Sequence, residues 1–318
     1  MNYMIEVAKI VGQRRNRIKT TLRRRIGVLY AVCLLALSSA PMRGQTALTP
    51  CSNCATWNTP QAPFRIYGNT YYVGPHGLSS ILITSDHGHV LIDGALPESA
   101  PLIAANIRAL GFSLEDVKLI LNSHVHFDHA GGIAELQRLS GARVAASPWS
   151  AAVLKSGGVA KDDPQYGEIR PIPPVPHVEI IHDGQQLKVG NIVLTAHFTP
   201  GHTPGGTSWT WTSCEAAHCE NMVYEDSLSA VSANGFKFTK RSSNRGGEDF
   251  EKSFMFLEST PCDILITPHP EASDLWERLD KRNAGSTPNP MIGASQCKEL
   301  AQESRDQRNK RLASEAGK

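Results

Sequence analysis

Apolar positions recur along the chain either every second residue or in unbroken runs of four or five, and both patterns read as β-strands. Phe64 to Val73 and Ser80 to Thr84 alternate, and Val90-Leu91-Ile92-Asp93-Gly94 is a buried strand ending in a turn. Val117 to Leu121 is a second buried strand and Val144-Ala145-Ala146 a short one. Strands resume at Val178 to Ile181, Gln186 to Val189 and Ile192 to Phe198, with Asp183-Gly184 and Gly190-Asn191 as hairpin turns. Thr207 to Thr212, Asn221 to Tyr224 and Cys262 to Thr267 complete the set. Helical spacing appears at Ala100 to Leu110, stopped by Gly111, at Ile133 to Leu139 and at Asp249 to Leu257. Gln296 to Glu315 reads as a charged, exposed C-terminal helix. Two successive sets of strands followed by helices predict an α/β fold: two mixed β-sheets face to face with helices outside, a four-layer αββα sandwich.

Two stretches escape this periodicity. Residues 41–63 form a Pro- and Thr-rich N-terminal arm expected to pack over the domain, with Trp57 either a hydrophobic clasp or a wall of the active site. Residues 155–176 make a long irregular loop, which in a compact domain is functional or mobile.

The chemistry concentrates at Ser123-His124-Val125-His126-Phe127-Asp128-His129, directly after the strand Val117 to Leu121. Ala130-Gly131-Gly132 then opens the next helix, so the polar residues fall on a turn between strand and helix. His124 and His126 have the spacing of an extended segment and can point to one side. Asp128 and His129 follow the turn and aim elsewhere, which suits two adjacent metal ions better than one. Neutral imidazole and carboxylate are ligands that zinc accepts. Single histidines are usually core or surface residues, but four candidate ligands in six positions point to a metal site.

His202, in Thr199-Pro200-Gly201-His202-Thr203-Pro204-Gly205-Gly206, and His269, in Pro268-His269-Pro270, also follow apolar strands in Pro/Gly-flanked turns. Of the twelve histidines these five share that setting; His76, His87, His89, His177, His182, His197 and His218 do not and read as non-ligands. With Asp128 there are six candidate ligands, enough for two zinc ions that each keep an open position, the mark of a catalytic site.

Bulk properties add limits. A chain of 318 residues with 41% hydrophobic and 19% charged residues has a proper core, and a net charge of +2 offers no electrostatic case for nucleic acid. Arg14, Arg15, Arg17, Lys19, Arg23, Arg24 and Arg25 precede the apolar run Ile26 to Leu37 and the small residues Ser38-Ser39-Ala40. This pattern predicts a secretory signal peptide over residues 1–40, cleaved near Ala40. The apolar run is shorter than the roughly 20 residues that span a bilayer, so no membrane anchor is expected in the mature form. Beyond Cys33 of the signal, Cys51, Cys54, Cys214, Cys219, Cys262 and Cys297 form an even set suited to an oxidising compartment. Six cysteines allow fifteen pairings. Proximity favours Cys51–Cys54 and Cys214–Cys219, leaving Cys262–Cys297; a zinc ribbon at Cys51-x-x-Cys54 is the alternative.

Over roughly residues 50–300 the chain resembles the metallo-β-lactamase superfamily, and within it subclass B3. The H-x-H-x-D-H motif marks the superfamily, which includes glyoxalase II enzymes, lactonases and RNA-processing nucleases. Gly201-His202-Thr203-Pro204-Gly205, Asp226-Ser227-Leu228-Ser229 and Pro268-His269-Pro270, with no ligand cysteine near Ser227, are narrower. The resemblance implies one zinc held by His124, His126 and His202 and another by Asp128, His129 and His269. It implies that Ser227 contacts zinc-bound water and that Ser229 binds the substrate carboxylate. Gln165 falls in a loop that lines the pocket mouth of related enzymes. Asp93 either supports the metal turn by a hydrogen bond or simply forms the turn before Gly94. Relatives with three disulfides carry a cysteine near Tyr72-Val73-Gly74, where this chain has Pro75-His76-Gly77, so Cys54 replaces the usual partner of Cys51.

The activity implied is hydrolysis of the β-lactam amide of penicillins, cephalosporins and carbapenems by a metal-bound hydroxide, with Asp128 holding the nucleophile. The expected protein is periplasmic and monomeric, acting on a small molecule. The rival within the fold is an exported dinuclear thioester or lactone hydrolase. Those relatives carry Gly-Asp-x-Leu where this chain has Glu225-Asp226-Ser227-Leu228. From another class, a non-catalytic zinc-binding module would bind metal without hydrolysing any ester or amide.

Overall fold

A computed structural model describes residues 51–239 and 247–317. The proposed signal peptide and the first part of the arm lie outside the described residues. What remains begins with a one-turn helix, α1 (Cys54–Trp57), and the strands β1 (Phe64–Tyr67), β2 (Thr70–Tyr72), β3 (Ile81–Ile83) and β4 (His89–Ile92). Helix α2 (Ala100–Ala109), β5 (Val117–Leu121), α3 (Phe127–Ala130), α4 (Ile133–Ser140), β6 (Arg143–Ala146), α5 (Pro148–Ser156) and β7 (Val178–Ile180) follow. The second part contains β8 (Gln186–Val189), β9 (Ile192–Phe198), β10 (Thr207–Glu215), β11 (His218–Tyr224), α6 (Gly247–Ser259), β12 (Ile264–Ile266), α7 (Leu275–Asn283) and α8 (Gln296–Ala316).

Strands β1 to β7 form one sheet in chain order, antiparallel from β1 to β4 and parallel from β4 to β7. The other sheet runs β12-β11-β10-β9-β8 and is antiparallel except for the parallel pair β11–β12. Both sheets are mixed, as the strand pattern predicts. The unbroken apolar runs follow from burial on two faces. Val90, Ile92, Leu119 and Leu121 join Trp209, Trp211, Tyr224, Ile264 and Ile266 between the sheets. Leu91 and Ile120, pointing the other way, pack with Ile103, Ile107, Ile133 and Leu136 of α2 and α4. Val223 and Leu265 face Phe250, Phe254 and Ala301 of α6 and α8. Three apolar layers thus separate four layers of secondary structure.

Several expectations are corrected. Phe64 to Val73 is a hairpin, because the chain turns at Gly68-Asn69 and β1 pairs with β2. Asp183-Gly184 turns between sheets rather than within a hairpin, since β7 and β8 belong to different sheets. Cys214 and Cys219 pair across the end of the β10–β11 hairpin rather than bounding a loop. Helices α5 and α7 were not legible as periodic stretches; α5 starts from Pro148, after Ser147, whose side chain accepts a hydrogen bond from the Ser150 amide. The C-terminal helix is not an exposed rod: Cys297, Ala301, Ser304 and Arg308 are buried, and Arg305 and Arg308 pair with Glu251 of α6 at 3.1 and 2.6 Å. Their guanidinium groups also lie over the Phe254 ring, so charged residues cover apolar surface there. All three expected disulfides are present: Cys51–Cys54, Cys214–Cys219 and Cys262–Cys297.

Candidate metal centre

The turns that follow β4, β5, β9, β11 and β12 meet at one edge of the sandwich. Two bonds hold the sheets in register there: the Thr207 amide donates to the Ser123 carbonyl at 2.9 Å and the Trp209 indole to the Asn122 carbonyl at 3.0 Å. Asp93, at the end of β4, has φ 62° and is fully buried. Its carboxylate accepts from the Ser123 amide, the Ser123 hydroxyl and the Tyr224 hydroxyl, each at 2.7 Å. Asp93 therefore supports the turn that carries the histidines, besides forming a turn of its own. Burial pushes its carboxyl up to about 7, against the opposing effect of those donors.

His124 and His126 leave β5 in extended conformation, while Asp128 and His129 lie on α3 rather than on an open turn. The glycines after α3 permit close approach: a Cβ on Gly132 would sit 2.2 Å from the Gly94 carbonyl oxygen. His202 arrives from the loop after β9 and His269 from the turn after β12. One donor atom each from His124, His126 and His202, and likewise from Asp128, His129 and His269, lie within 4.8 Å of one another in their group. The groups adjoin, with the His124 and His129 rings 4.4 Å apart. All six candidate ligands are thus brought together, and among the described residues none of the seven other histidines joins such a group.

The outer nitrogens of the three-histidine group are occupied. His124 Nδ1 donates to Asp226 Oδ1 at 2.7 Å, His126 Nε2 to Asp163 Oδ2 at 3.1 Å, and His202 Nδ1 to the Ser229 carbonyl at 2.9 Å. Each inner nitrogen is thereby left to face the centre, with His202 Nε2 3.2 Å from His126 Nδ1. In the other group, Asp128 Oδ2 stands 3.4 Å from His129 Nε2 and 3.5 Å from His269 Nε2.

Electrostatics favours the ligand forms of His124, His129, His202 and Asp128. Burial, reinforced by neighbouring imidazoles, lowers His124 well below the usual range and His202 to about 3, and burial likewise lowers His129. Burial opposes charge on His126 too, but the Asp163 carboxylate outweighs it and raises the pKa. Burial would raise Asp128, yet His129, His269 and His126 hold it below the ordinary carboxylate range. Burial pushes Asp226 up to about 7 and its neighbour Glu225 well above the usual value. His124 Nε2 and both His129 nitrogens are buried without a hydrogen-bond partner. Neutral, orphaned imidazole nitrogens around a carboxylate fit a divalent metal with nitrogen and oxygen preference.

The remaining predicted residues are nearby. Gln165 Nε2 lies 3.4 Å from His202 Nε2. Ser227 and Ser229 line a cavity of about 220 Å3 whose other walls include His269 and, from α8, Glu303 and Gln307. The Ser229 hydroxyl also lies 3.1 Å from His202 Nδ1. The Trp57 ring is 5.3 Å from that of His269, so this residue borders the centre as well as packing on the core. Sequence reasoning missed Asp163 and the partnership of Asp226 with His124. Asp226 stood in a quoted motif, but its partner lies 102 residues away; Asp163 begins the Asp163-Pro164-Gln165 turn, whose composition alone marks only a bend.

Comparison with known proteins agrees with this geometry. Residues 73–219 match the model of the metallo-β-lactamase superfamily. The fold resembles the solved Rm3 metallo-β-lactamase at 56% identity and a TM-score of 0.82, covering 84% of this chain and 99% of that one. MEM-A1, a subclass B3 metallo-β-lactamase from a soil metagenome library, is 50% identical with a TM-score of 0.80, covering 82% and 99%. This chain belongs to the metallo-β-lactamases of subclass B3. A curated hydroxyacylglutathione hydrolase of Rhodopseudomonas palustris (strain BisB18) is 33% identical over 129 residues, spanning 40% of this chain and 41% of that protein. The chain spans less than half the length of that relative and of its counterpart from Bradyrhizobium.

Proposed function

We propose that this chain hydrolyses the β-lactam amide of penicillins, cephalosporins and carbapenems with two zinc ions. The observation that carries the reading is the pair of adjoining donor groups in a chain 56% identical to Rm3 over nearly that protein's whole length. His124, His126 and His202 would hold one ion, and Asp128, His129 and His269 the other. Zinc supplies Lewis acidity and lowers the pKa of water from roughly 15.7 to about 7, so that a nucleophile is available at neutral pH.

The chain's own groups then have distinct tasks. Asp226, Asp163 and the Ser229 carbonyl fix the ring orientations of the three-histidine group before substrate arrives. The Asp128 carboxylate accepts a hydrogen bond from the attacking water and orients it towards the lactam carbonyl. Water oxygen adds to that carbon, the strained C–N bond breaks and the ring nitrogen takes up a proton. No side chain is acylated. The Ser229 hydroxyl, beside the cavity, binds the substrate carboxylate; Ser227 contacts the attacking water; Gln165 stands at the pocket mouth. We further assign export to the periplasm through residues 1–40, without a membrane anchor in the mature form, and a monomeric state. The basic and apolar patterning of that segment and the three disulfides support export.

The test is hydrolysis of a carbapenem and a penicillin by purified residues 41–318, followed at the β-lactam absorbance. Turnover that a chelator abolishes and added zinc restores is expected. Absence of turnover by a preparation holding two zinc ions would refute the reading. It would favour the thioester or lactone hydrolase that the hydroxyacylglutathione hydrolase relatives suggest.

A further inference from the structure

Of the six proposed ligands, His269 is the one that burial does not hold. Its side chain is 34% exposed, against 0% for His124, 4% for His126, 1% for His129 and 10% for Asp128. An imidazole in that setting keeps several rotamers unless something outside the core fixes it. Two contacts do so. Nδ1 faces the Gly77 carbonyl oxygen at 3.3 Å, which directs Nε2 towards Asp128, and the Trp57 ring lies against the imidazole at 5.3 Å with a 50° tilt.

Gly77 and Trp57 are themselves joined. The Gly77 amide donates to the Trp57 carbonyl at 3.1 Å, and a Cβ on Gly77 would meet Trp57 Cα at 2.6 Å and Cδ1 at 2.8 Å. The arm around Trp57 is laced to the domain on both sides. Thr59 accepts from the His76 amide at 2.8 Å, Asn58 from the Ser99 hydroxyl at 2.6 Å, and Gln61 from the Asn106 side chain at 3.0 Å. The same turn reaches the backbone before His269, where the Ser79 amide donates to the Pro268 carbonyl at 2.8 Å and the Ser79 hydroxyl to the Thr267 carbonyl at 2.7 Å.

We propose that Trp57 is a positioning residue for the second metal position: its ring, packed against His269 and against Gly77, holds His269 in the rotamer that completes the Asp128–His129–His269 group. This rests on the metal assignment proposed above. Loss of an outer partner of a metal-binding histidine typically weakens metal affinity about 10–100-fold. Trp57 touches none of the three-histidine group among its described contacts, so the effect falls on one ion only.

The experiment is zinc titration of the metal-free protein against a chromophoric chelator, for the wild type and for His269→Ala, which identifies the step belonging to this group. Trp57→Ala is expected to raise the dissociation constant of that step about tenfold with the other step unchanged, and to lower the melting temperature of the metal-free protein, because the indole also packs on the core. Trp57→Phe, which keeps a ring against His269, restores the wild-type value. The proposal is overturned if Trp57→Ala leaves both steps at their wild-type values, or weakens both alike. Should Trp57→Ala not fold, Trp57→Leu carries the same test, because it fills the core but lacks the ring face. A wild-type protein that takes up fewer than two zinc ions overturns the metal assignment as well, and so is told apart from a failure of the Trp57 proposal alone.

Discussion

The two ligand groups lie side by side yet are built on different principles. In the three-histidine group every ring is buried and every outer nitrogen has a protein acceptor. The geometry is set before any metal arrives, and the energy of orientation is already spent in folding. In the Asp128–His129–His269 group, His129 has no hydrogen-bond partner at either nitrogen, and His269 leans on a backbone carbonyl and one indole. There the Asp128 carboxylate stands 3.4 and 3.5 Å from the two imidazoles, with no buried hydrogen-bond acceptor behind His129 among the described residues. Preorganisation is thus concentrated on one position, and the other is more dependent on its occupant and on the N-terminal arm.

The largest expected effect separates the groups directly. His126→Ala should abolish metal at the preorganised position and cause the larger loss of kcat/KM, whereas His269→Ala should leave one ion bound and cost less. Bound zinc by mass spectrometry, with kinetics on one carbapenem, measures both; equal losses would erase the asymmetry. A smaller effect sharpens it. Asp226→Asn replaces the carboxylate that orients His124 and should weaken the first metal step about tenfold with the second little changed. Asp163→Asn should do the same to a lesser degree, because its bond to His126 is longer, 3.1 against 2.7 Å. A chelator titration of the two variants ranks them, and a shift in the second step instead would contradict the assignment.

The smallest effect belongs to the scaffold. Tyr224→Phe deletes one of three bonds to Asp93 and should cost about 1 kcal/mol, a fall of roughly 2–4 °C in melting temperature, with both metal steps unaltered. Calorimetry of the metal-free protein checks it; a change in metal affinity would instead place Asp93 among the groups that tune the centre.

Legibility followed sequence distance. His124, His126, Asp128 and His129 announce themselves because a strand end and a one-turn helix present neighbours in the chain as neighbours in space. His202 and His269 were readable from their Pro/Gly-flanked strand ends. The partners that orient these rings were not: Asp163 and Asp226 lie 37 and 102 residues from the histidines they hold, and no local pattern ties them together. The C-terminal helix misleads for a related reason. Its inward face contains Arg305 and Arg308, which a hydropathy pattern counts as solvent-facing, and Glu251, Glu258 and Phe254 of α6 make that placement tolerable.

What the chain determined by itself is therefore the set of strands with two apolar faces and the six candidate ligands, while the pairing of its cysteines was only favoured by proximity. These depend on backbone periodicity and on ligand chemistry, both of which are local. Only the tertiary structure decided which carboxylates stand behind the histidines, that Ser229 offers His202 its carbonyl, and that Trp57 and Gly77 reach His269. Those contacts exist because two sheets bring five separate turns to one edge, and burial there leaves each polar atom dependent on whatever partner the packing supplies.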